Sequence, residues 1–199
     1  MPRQPRRQES GLTYHVFAKA VREERLYRDD FDRIEFLRLL GETVHAFGWI
    51  CHAYCEMTTH YHALVTTTEP NIAAGMQALN SRHAEYFNRR HEVTGHLFRS
   101  RYGDVVVEGD GHFLSEYRYI TRNPVAAGLC DEPDQWRWSS YRATLGLIRN
   151  PPFLTSDRTL LLFSKSSEKA LVSCAASSMA RPRRRLPDPS GRVRAVQGV

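Results

Sequence analysis

Two histidines, and later a tyrosine with an asparagine, are the residues whose types and spacing can do chemistry. His60 and His62 stand two positions apart in the apolar segment His60-Tyr61-His62-Ala63-Leu64-Val65. Successive side chains of a strand alternate between faces, so both imidazoles would point the same way with Cα atoms roughly 6.5 Å apart. Neutral imidazole is a good ligand for divalent metals. The pair therefore indicates a candidate cation site. The alternative is that these are ordinary structural or surface histidines.

Tyr119 and Asn123 are four residues apart, so in a helix they share a face. Four apolar residues of the same segment define the predicted core side of that helix: Phe113, Leu114, Tyr117 and Ile120. At about 100° per residue, Tyr119 lies roughly 150° from the centre of this side and Asn123 about 40° from Tyr119. The alternative is a surface aromatic and an asparagine that ends the helix before proline. If this face meets the histidines, two imidazoles and an amide hold a metal opposite a phenol, which suits phosphoryl transfer through a covalent tyrosine.

A competing metal site consists of Cys51, His52 and Cys55. In a helix the two thiols could share a zinc ion. In a strand they would share a face but lie about 13 Å apart, which is too far for one tetrahedral ion with bonds near ~2.3 Å. Because residues 49–57 read as a strand, both cysteines are predicted to be core or sheet residues.

The bulk properties predict one domain with additional ends. The chain has 199 residues, of which 41% are hydrophobic, and four cysteines. No run of about 18 apolar residues predicts a membrane span, and the basic start lacks the apolar segment of a secretory signal. Four cysteines at this length do not indicate a disulfide scaffold. We expect a protein of the reducing cytoplasm with no membrane partner.

The net charge of +6 resides in the C-terminal tail. Residues 165–199 hold eight Lys/Arg and two Asp/Glu, so the rest of the chain is neutral overall. Such a tail can add sequence-independent attraction to phosphates, or it can be a solvated end. Bulk charge is therefore weak evidence for a nucleic-acid partner.

The hydrophobic pattern predicts four strands and several helices. Strands are expected at 14–18, 49–57, 60–67 and 102–107, with helices near 31–47, 71–90 and 112–123. Shorter helices are expected within 138–147 and 153–176. The order strand, helix, strand, strand, helix, strand is the split βαβ pattern. It predicts an α+β, ferredoxin-like fold, with a four-stranded antiparallel sheet, helices on both faces and a C-terminal helical extension.

The predicted boundaries divide the chain into four parts. Residues 1–10 are a disordered basic N-terminus, 11–150 the main domain, 151–176 the helical extension and 177–199 a disordered basic tail. Within the main domain, arginines alternate with aromatic residues on and after the second long helix. This pattern is typical of surfaces that bind single strands by backbone contacts and base stacking, and also of ordinary charged helix faces. The predicted DNA-binding residues are Arg82, Tyr86, Arg89, Arg90, Phe98, Arg99 and Arg101.

Five blocks of this sequence resemble one protein family. The matching segments are Trp49-Ile50-Cys51-His52-Ala53-Tyr54, Met57-Thr58-Thr59-His60-Tyr61-His62, Gly95-His96-Leu97-Phe98-Arg99-Ser100-Arg101-Tyr102, the run from Tyr119 to Leu129, and Trp138-Ser139-Ser140-Tyr141. The chain resembles the single-tyrosine HUH transposases, in particular the REP-associated tyrosine transposases, over about residues 14–146. One departure is Thr58-Thr59, where the family commonly has proline-asparagine.

The resemblance implies a fold, an activity and site residues. The family fold agrees with the ferredoxin-like prediction. The implied roles are His60, His62 and Asn123 as ligands of Mg²⁺ or Mn²⁺ and Tyr119 as the nucleophile. The implied activity is nicking and strand transfer on single-stranded hairpin DNA through a 5′-phosphotyrosine. A homodimer and a monomer are both compatible with it.

Two other functions remain open from the sequence. One is a domesticated, catalytically inactive protein that binds hairpin DNA. The other is a ferredoxin-like RNA-binding module, although the sequence lacks a run that matches the aromatic sheet motif of RRM domains.

Overall fold

The elements of the structure follow the predicted order. The computed structural model describes residues 7–21 and 25–163. Its elements are β1 (Thr13–Lys19), α1 (Asp30–Ala46), β2 (Ile50–Glu56), β3 (His60–Thr66), α2 (Ile72–His91), β4 (Gly103–Val107), α3 (Gly109–Ala126), a 3₁₀ turn (Pro133–Gln135), α4 (Tyr141–Thr144) and α5 (Asp157–Phe163).

The four strands form one antiparallel sheet in the order β2-β3-β1-β4. This is the strand order of the split βαβ fold, so the ferredoxin-like prediction is confirmed. The predicted hairpin joins β2 to β3 through Thr58-Thr59, and it is closed by a 2.8 Å hydrogen bond from the Met57 amide to the His60 carbonyl.

Helices cover both faces of the sheet, as predicted. Alternation along β3 sends Tyr61, Ala63 and Val65 into a core shared with α1 and α2. Leu64 lies on the other face, in a second core that includes Phe113, Tyr117 and Ile120 of α3. The even-numbered residues of β3, which include His60 and His62, therefore face α3. Because side chains alternate along β3, both imidazoles lie on the face that packs against the helix of Tyr119.

The buried side of α1 differs from a simple apolar stripe. Phe31 and Ile34 fit a stripe of helical spacing in the sequence but are 69% and 54% exposed. Asp32 and Arg33 are buried instead. The Arg33 guanidinium stacks over aromatic rings and donates to the Glu56 carbonyl at 3.2 Å. Partnered charges therefore take positions that hydrophobicity alone would assign to apolar residues.

A β-bulge corrects the expectation for the two cysteines of β2. The register of β2 against β3 shifts between Cys51 and Ala53, so His52 is the extra residue. Cys51 consequently lies in the core beneath α1 and α2, whereas Cys55 lies in the core beneath α3. The two thiols do not share a face, because a bulge reverses the alternation. Both are buried and free.

Helix α3 extends beyond its predicted end. Pro124 disfavours a helical residue before it, which predicted an end at Asn123, but the helix continues through Pro124 to Ala126. The ring of Pro124 is buried, and the Ala127 amide still donates to the Asn123 carbonyl at 2.9 Å. Core packing therefore offsets the loss of one helical hydrogen bond. Asn123 is consequently a full turn beyond Tyr119 in regular helix.

The segment after α3 covers the free edge of β2. The helix expected within 138–147 is reduced to the four residues of α4, because the residues before it bond to the strand. The Glu56 amide donates to the Trp138 carbonyl at 2.9 Å, and the Ser140 amide donates to the Tyr54 carbonyl at 3.0 Å. Covering an edge in this way prevents pairing with another chain.

The predicted ends are described only in part. Arg7 contacts Glu108 at 2.9 Å, so the structure describes the last residues of the segment 1–10 that was predicted to be disordered. Residues 1–6, the part of the 153–176 helix beyond Phe163, and the tail 177–199 lie outside the described residues. Within the described ranges, no helix has the length and apolar character needed to cross a membrane.

Candidate active site

His60 and His62 lie side by side on the α3 face of β3. Their ring centroids are 5.0 Å apart and the rings are nearly perpendicular. His62 is buried, and desolvation together with the nearby His15, His60 and Lys19 lowers its pKa to about 2. Burial and Lys19 also lower the pKa of His60. Both imidazoles are therefore neutral near pH 7, which is the form that binds metals.

The turn before His60 is held by its own contacts. Thr59 Oγ1 lies 3.1 Å from Nδ1 of His60. The carbonyls of Thr58 and Thr59 accept hydrogen bonds from the amides of Leu26 and Ala20 at 3.0 and 2.8 Å. These bonds fix the turn, and the threonine hydroxyl contacts the first imidazole.

Tyr119 projects from α3 beside the histidines of the same chain. Its ring centroid is 5.6 Å from that of His62, with the planes at 88°, and 5.7 Å from that of His15. The side chain is 54% exposed, whereas Tyr117, two residues earlier, is buried in the core. The helix therefore places one phenol in the core and presents the other to solvent next to the imidazoles, as the angular pattern predicted.

Asn123 follows Tyr119 by one turn. Its amide nitrogen donates to the Tyr119 carbonyl at 3.1 Å, which leaves Oδ1 as the atom available to a ligand. With Tyr119, it borders a small open depression of about 170 Å³ whose other walls are Arg118, Arg122 and Ala126. The depression is lined almost entirely by apolar atoms, so the two arginines border it with their aliphatic stems. The Arg118 guanidinium lies instead over the Phe163 ring, 5.2 Å from its centroid.

A chain of hydrogen bonds that the sequence did not reveal lies behind His62. His15 of β1 is buried, and its Nε2 lies 2.7 Å from Nδ1 of His62. On its other side, His15 Nδ1 lies 2.7 Å from a carboxylate oxygen of Glu116. Burial, opposed by the Glu116 charge, lowers the pKa of His15. Strand alternation could have placed His15 on this face, but nothing in the spacing of residues linked it to Glu116.

The donor set fits a divalent cation. Among residues 7–21 and 25–163, no three His, Cys, Asp or Glu side chains come together as a possible metal site. A two-histidine site would thus need a ligand of another type, such as the Asn123 amide oxygen. The Nε2 atom of His62 is buried and has no hydrogen-bond partner among the described residues. A buried polar atom without a partner is costly, and a metal ligand bond would satisfy it.

Three of the predicted DNA-binding residues line one groove. Phe98, Arg99 and Arg101 border a cavity of about 720 Å³ between α2 and the segment before β4. The Arg99 amide donates to the Lys19 carbonyl at 2.9 Å, and Lys19 pairs with His60 across the sheet. The groove therefore begins at the end of the sheet where His60 lies.

The other predicted DNA-binding residues lie on α2 outside this groove. Arg82 pairs with Glu42 at 2.5 Å. Arg90 pairs with Asp29 and with the buried Asp32 at 2.7 and 2.5 Å. Arg89 is exposed and Tyr86 is half-buried. A role in DNA binding stays a prediction for all seven residues.

Comparison with known families identifies the chain. Residues 8–123 match the family model described as transposase IS200 like. The chain belongs to the IS200-like transposase family. The matched range contains both histidines, Tyr119 and Asn123, so the candidate site of this IS200-like transposase lies within the part of the chain that defines the family. No curated protein matches the chain.

The fold of this transposase is similar to that of a solved relative. That structure is a REP-associated tyrosine transposase bound to a REP hairpin, and it matches with a TM-score of 0.65 and 14% sequence identity. The match covers 80% of this chain and 94% of the other chain. The likeness supports the ferredoxin-like fold of the IS200-like transposase independently of its motifs.

Proposed function

We propose that this transposase is a divalent-metal-dependent nickase and strand transferase for single-stranded hairpin DNA. The observation that carries the proposal is the position of Tyr119, which is exposed on α3 with its ring 5.6 Å from that of the buried His62. An exposed phenol beside two neutral imidazoles has no role in the core, which supports a role for it as the nucleophile towards a phosphate bound there. With DNA as its substrate, the protein would act in the cytoplasm, at the nucleoid.

In the proposed reaction, the Tyr119 oxygen attacks the scissile phosphorus and loses its proton. A P–O bond forms to tyrosine, and the bond from phosphorus to the 3′ oxygen breaks. The 3′ oxygen takes up a proton and leaves as a hydroxyl, while the 5′ side remains as phosphotyrosine. A second 3′-hydroxyl can reverse the step and rejoin strands, because the phosphotyrosine keeps the energy of the phosphodiester. No ATP is consumed.

His60, His62 and Asn123 would hold the Mg²⁺ or Mn²⁺ ion. When bound, such an ion supplies Lewis-acid stabilisation of charge on a phosphate oxygen. Tyr119 lies beside His62 of the same chain, so the proposed reaction does not require the tyrosine of a second subunit.

The substrate class is proposed from the groove and the structural neighbour. Phe98 offers a ring for stacking and Arg99 and Arg101 offer charge, a combination suited to unpaired bases and backbone. The solved relative of similar fold is bound to a REP hairpin. We therefore propose a hairpin with a single-stranded flank as the substrate.

The test is formation of a covalent adduct. The full chain is incubated with end-labelled hairpin DNA and Mn²⁺ and then run on a denaturing gel. The wild-type protein should give a protein-linked band, and Tyr119→Phe should give none. Tyr117→Phe, which removes a hydroxyl from the opposite side of the same helix, is the matched control and should retain the band. Hairpin binding without any adduct in the wild type would favour the non-cutting DNA-binding protein instead.

A further inference from the structure

The hydrogen bonds behind His62 leave one arrangement of protons. An ionised Glu116 carboxylate can only accept, so His15 must carry its proton on Nδ1, 2.7 Å from the carboxylate. The Nε2 atom of a neutral His15 is then an acceptor. Because it lies 2.7 Å from Nδ1 of His62, the proton of His62 must be on Nδ1. The Nε2 atom of His62 consequently has a free lone pair.

The carboxylate is itself held from its other side. The Glu108 amide donates to Nδ1 of His112 at 3.2 Å, so the proton of His112 is on Nε2. That atom lies 3.3 Å from the second oxygen of Glu116. Each oxygen of Glu116 thus accepts a hydrogen bond from an imidazole N–H. From the Glu108 amide through His112, Glu116 and His15 to His62, every hydrogen bond pairs one donor with one acceptor.

From this arrangement we propose that Glu116 and His15 are positioning residues, which fix the proton of His62 on Nδ1 and keep Nε2 available as a cation ligand. The inference rests on the proposed function, since it concerns the metal of the same site. Hydrogen bonds of this kind commonly set the orientation and tautomer of metal-binding histidines. Here two side chains act in series rather than one.

The same chain joins the two halves of the site. Glu116 is on α3, one turn before Tyr119, whereas His15 and His62 are on neighbouring strands of the sheet. The carboxylate therefore ties the helix of the nucleophile to the strand of the ligands. Residues that serve only to fill the core would not need this polar connection, because apolar packing of Phe113 and Ile120 already docks the helix.

The first readout is the position of the proton, which needs neither a metal nor activity. In metal-free full-length protein labelled with ¹⁵N-histidine, long-range ¹⁵N–¹H correlation spectra distinguish the two tautomers. The His62 signals, assigned by their loss in His62→Asn, should show the proton on Nδ1. A wild-type His62 with its proton on Nε2 would overturn the proposal. The assignment requires only that His62→Asn keeps the remaining histidine signals of the folded protein.

The second readout is the affinity for Mn²⁺ measured by calorimetry without DNA. His15→Leu removes the acceptor for His62 and should weaken binding by about 10- to 100-fold, the usual effect of losing such a partner. His15→Gln places an amide oxygen near the position of Nε2 and should restore most of the affinity. Equal affinity of the leucine variant and the wild type would contradict the proposal.

A matched control separates this effect from loss of a buried histidine in general. His52 is buried on the same side of the sheet and bonds to Thr66 Oγ1 at 2.8 Å, outside the chain of bonds that ends at His62. His52→Leu should bind Mn²⁺ as the wild type does. If His60→Ala fails to weaken Mn²⁺ binding, the proposed metal site is wrong, and the tautomer of His62 then decides the present proposal by itself.

Discussion

The ring of Tyr119 stands perpendicular to the ring of His62, with centroids 5.6 Å apart, within a single chain. One residue comes from a helix and the other from the strand beneath it, so the contact exists only because α3 packs on the face of the sheet that carries the histidines. The phenol of Tyr119 is exposed to solvent and the imidazole of His62 is buried, so their contact lies at the edge of the core. A bound phosphate at this edge would meet both.

Asn123 is expected to contribute an oxygen to the cation. Asn123→Ala should raise the Mn²⁺ concentration needed for half-maximal adduct formation by roughly 10-fold or more. Loss of a residue that only supports a metal ligand already weakens metal binding by about 10- to 100-fold. Asn123→Asp keeps an oxygen at this position and should reach half-maximal adduct formation at a much lower Mn²⁺ concentration than Asn123→Ala. Metal titrations of adduct formation measure the difference. Identical titration curves for the alanine variant and the wild type would exclude this residue as a ligand.

Gly103 makes room for a ring that packs against the site. A Cβ at this position would lie 2.4 Å from Cζ of Phe17, and the Phe17 ring lies 5.9 Å from that of His62. Gly103→Ala should therefore displace Phe17, lower the free energy of unfolding by about 1–3 kcal/mol and reduce adduct formation. Urea unfolding and the adduct assay measure the two effects.

The control for Gly103 is a glycine with open space around it. A Cβ built on Gly111, in the first turn of α3, would have nothing within 4 Å beyond its chain neighbours and the backbone of its own helix. Gly111→Ala should therefore be neutral or stabilising by up to about 1 kcal/mol. Equal stabilities for Gly103→Ala and the wild type would show that Phe17 moves aside without cost.

Arg99 is expected to contact the DNA backbone from the groove. It is exposed and forms no ion pair with residues 7–21 or 25–163, so its guanidinium is available to a phosphate. Arg99→Ala should weaken hairpin binding and reduce by about 1 the slope of log affinity against log salt concentration. Arg38 of α1, which pairs with Glu35 at 2.6 Å outside the groove, supplies the control. A similar loss of slope in Arg38→Ala would indicate a bulk charge effect rather than a contact at the groove.

His83 should make the stability depend on pH. Burial on the core side of α2 lowers its pKa to about 4, whereas an unfolded histidine titrates near ~6.5. The unfolded chain therefore binds the extra proton first, so the stabilisation is complete above about pH 6.5 and is lost as the pH falls towards 4. Per pH unit, this one group contributes about 1.4 kcal/mol.

A variant isolates that contribution from the other buried histidines. His83→Gln can still donate to the Leu26 carbonyl, which His83 Nε2 contacts at 3.1 Å, but it does not titrate. Unfolding free energies between pH 7 and 4.5 should fall less steeply for the variant than for the wild type. Parallel curves would mean that His83 does not titrate differently in the two states.

Strand and helix periods were enough to predict the main geometry of the site. Alternation put His60 and His62 on one face, and the angle around α3 separated Tyr119 from Tyr117. The sequence could not reveal the link from Glu116 through His15 to His62, because it joins three elements by contacts that depend on their packing. It also could not reveal the bulge at His52. One extra residue in a strand alters neither the composition of the segment nor the pattern of the neighbouring elements.

Charged residues in unusual positions limited the prediction of α1. Asp32 is buried because Arg90, His91 and the Arg28 amide surround its carboxylate. Two of these partners come from the far end of α2, so no local pattern could indicate them. Likewise, the continuation of α3 through Pro124 depends on packing in the core, which outweighs the local preference of the residue before proline.

The most direct test of the account is to identify the residue that carries the DNA. The chain offers a convenient cleavage pattern, because trypsin cuts after Arg118 and Arg122 and so releases Tyr119–Arg122, a peptide with one tyrosine, apart from the peptide that contains Tyr117. After adduct formation with hairpin DNA and Mn²⁺, nuclease digestion and mass spectrometry should find the nucleotide remnant on the Tyr119 peptide. A remnant on the Tyr117 peptide, or on any other, would contradict the account.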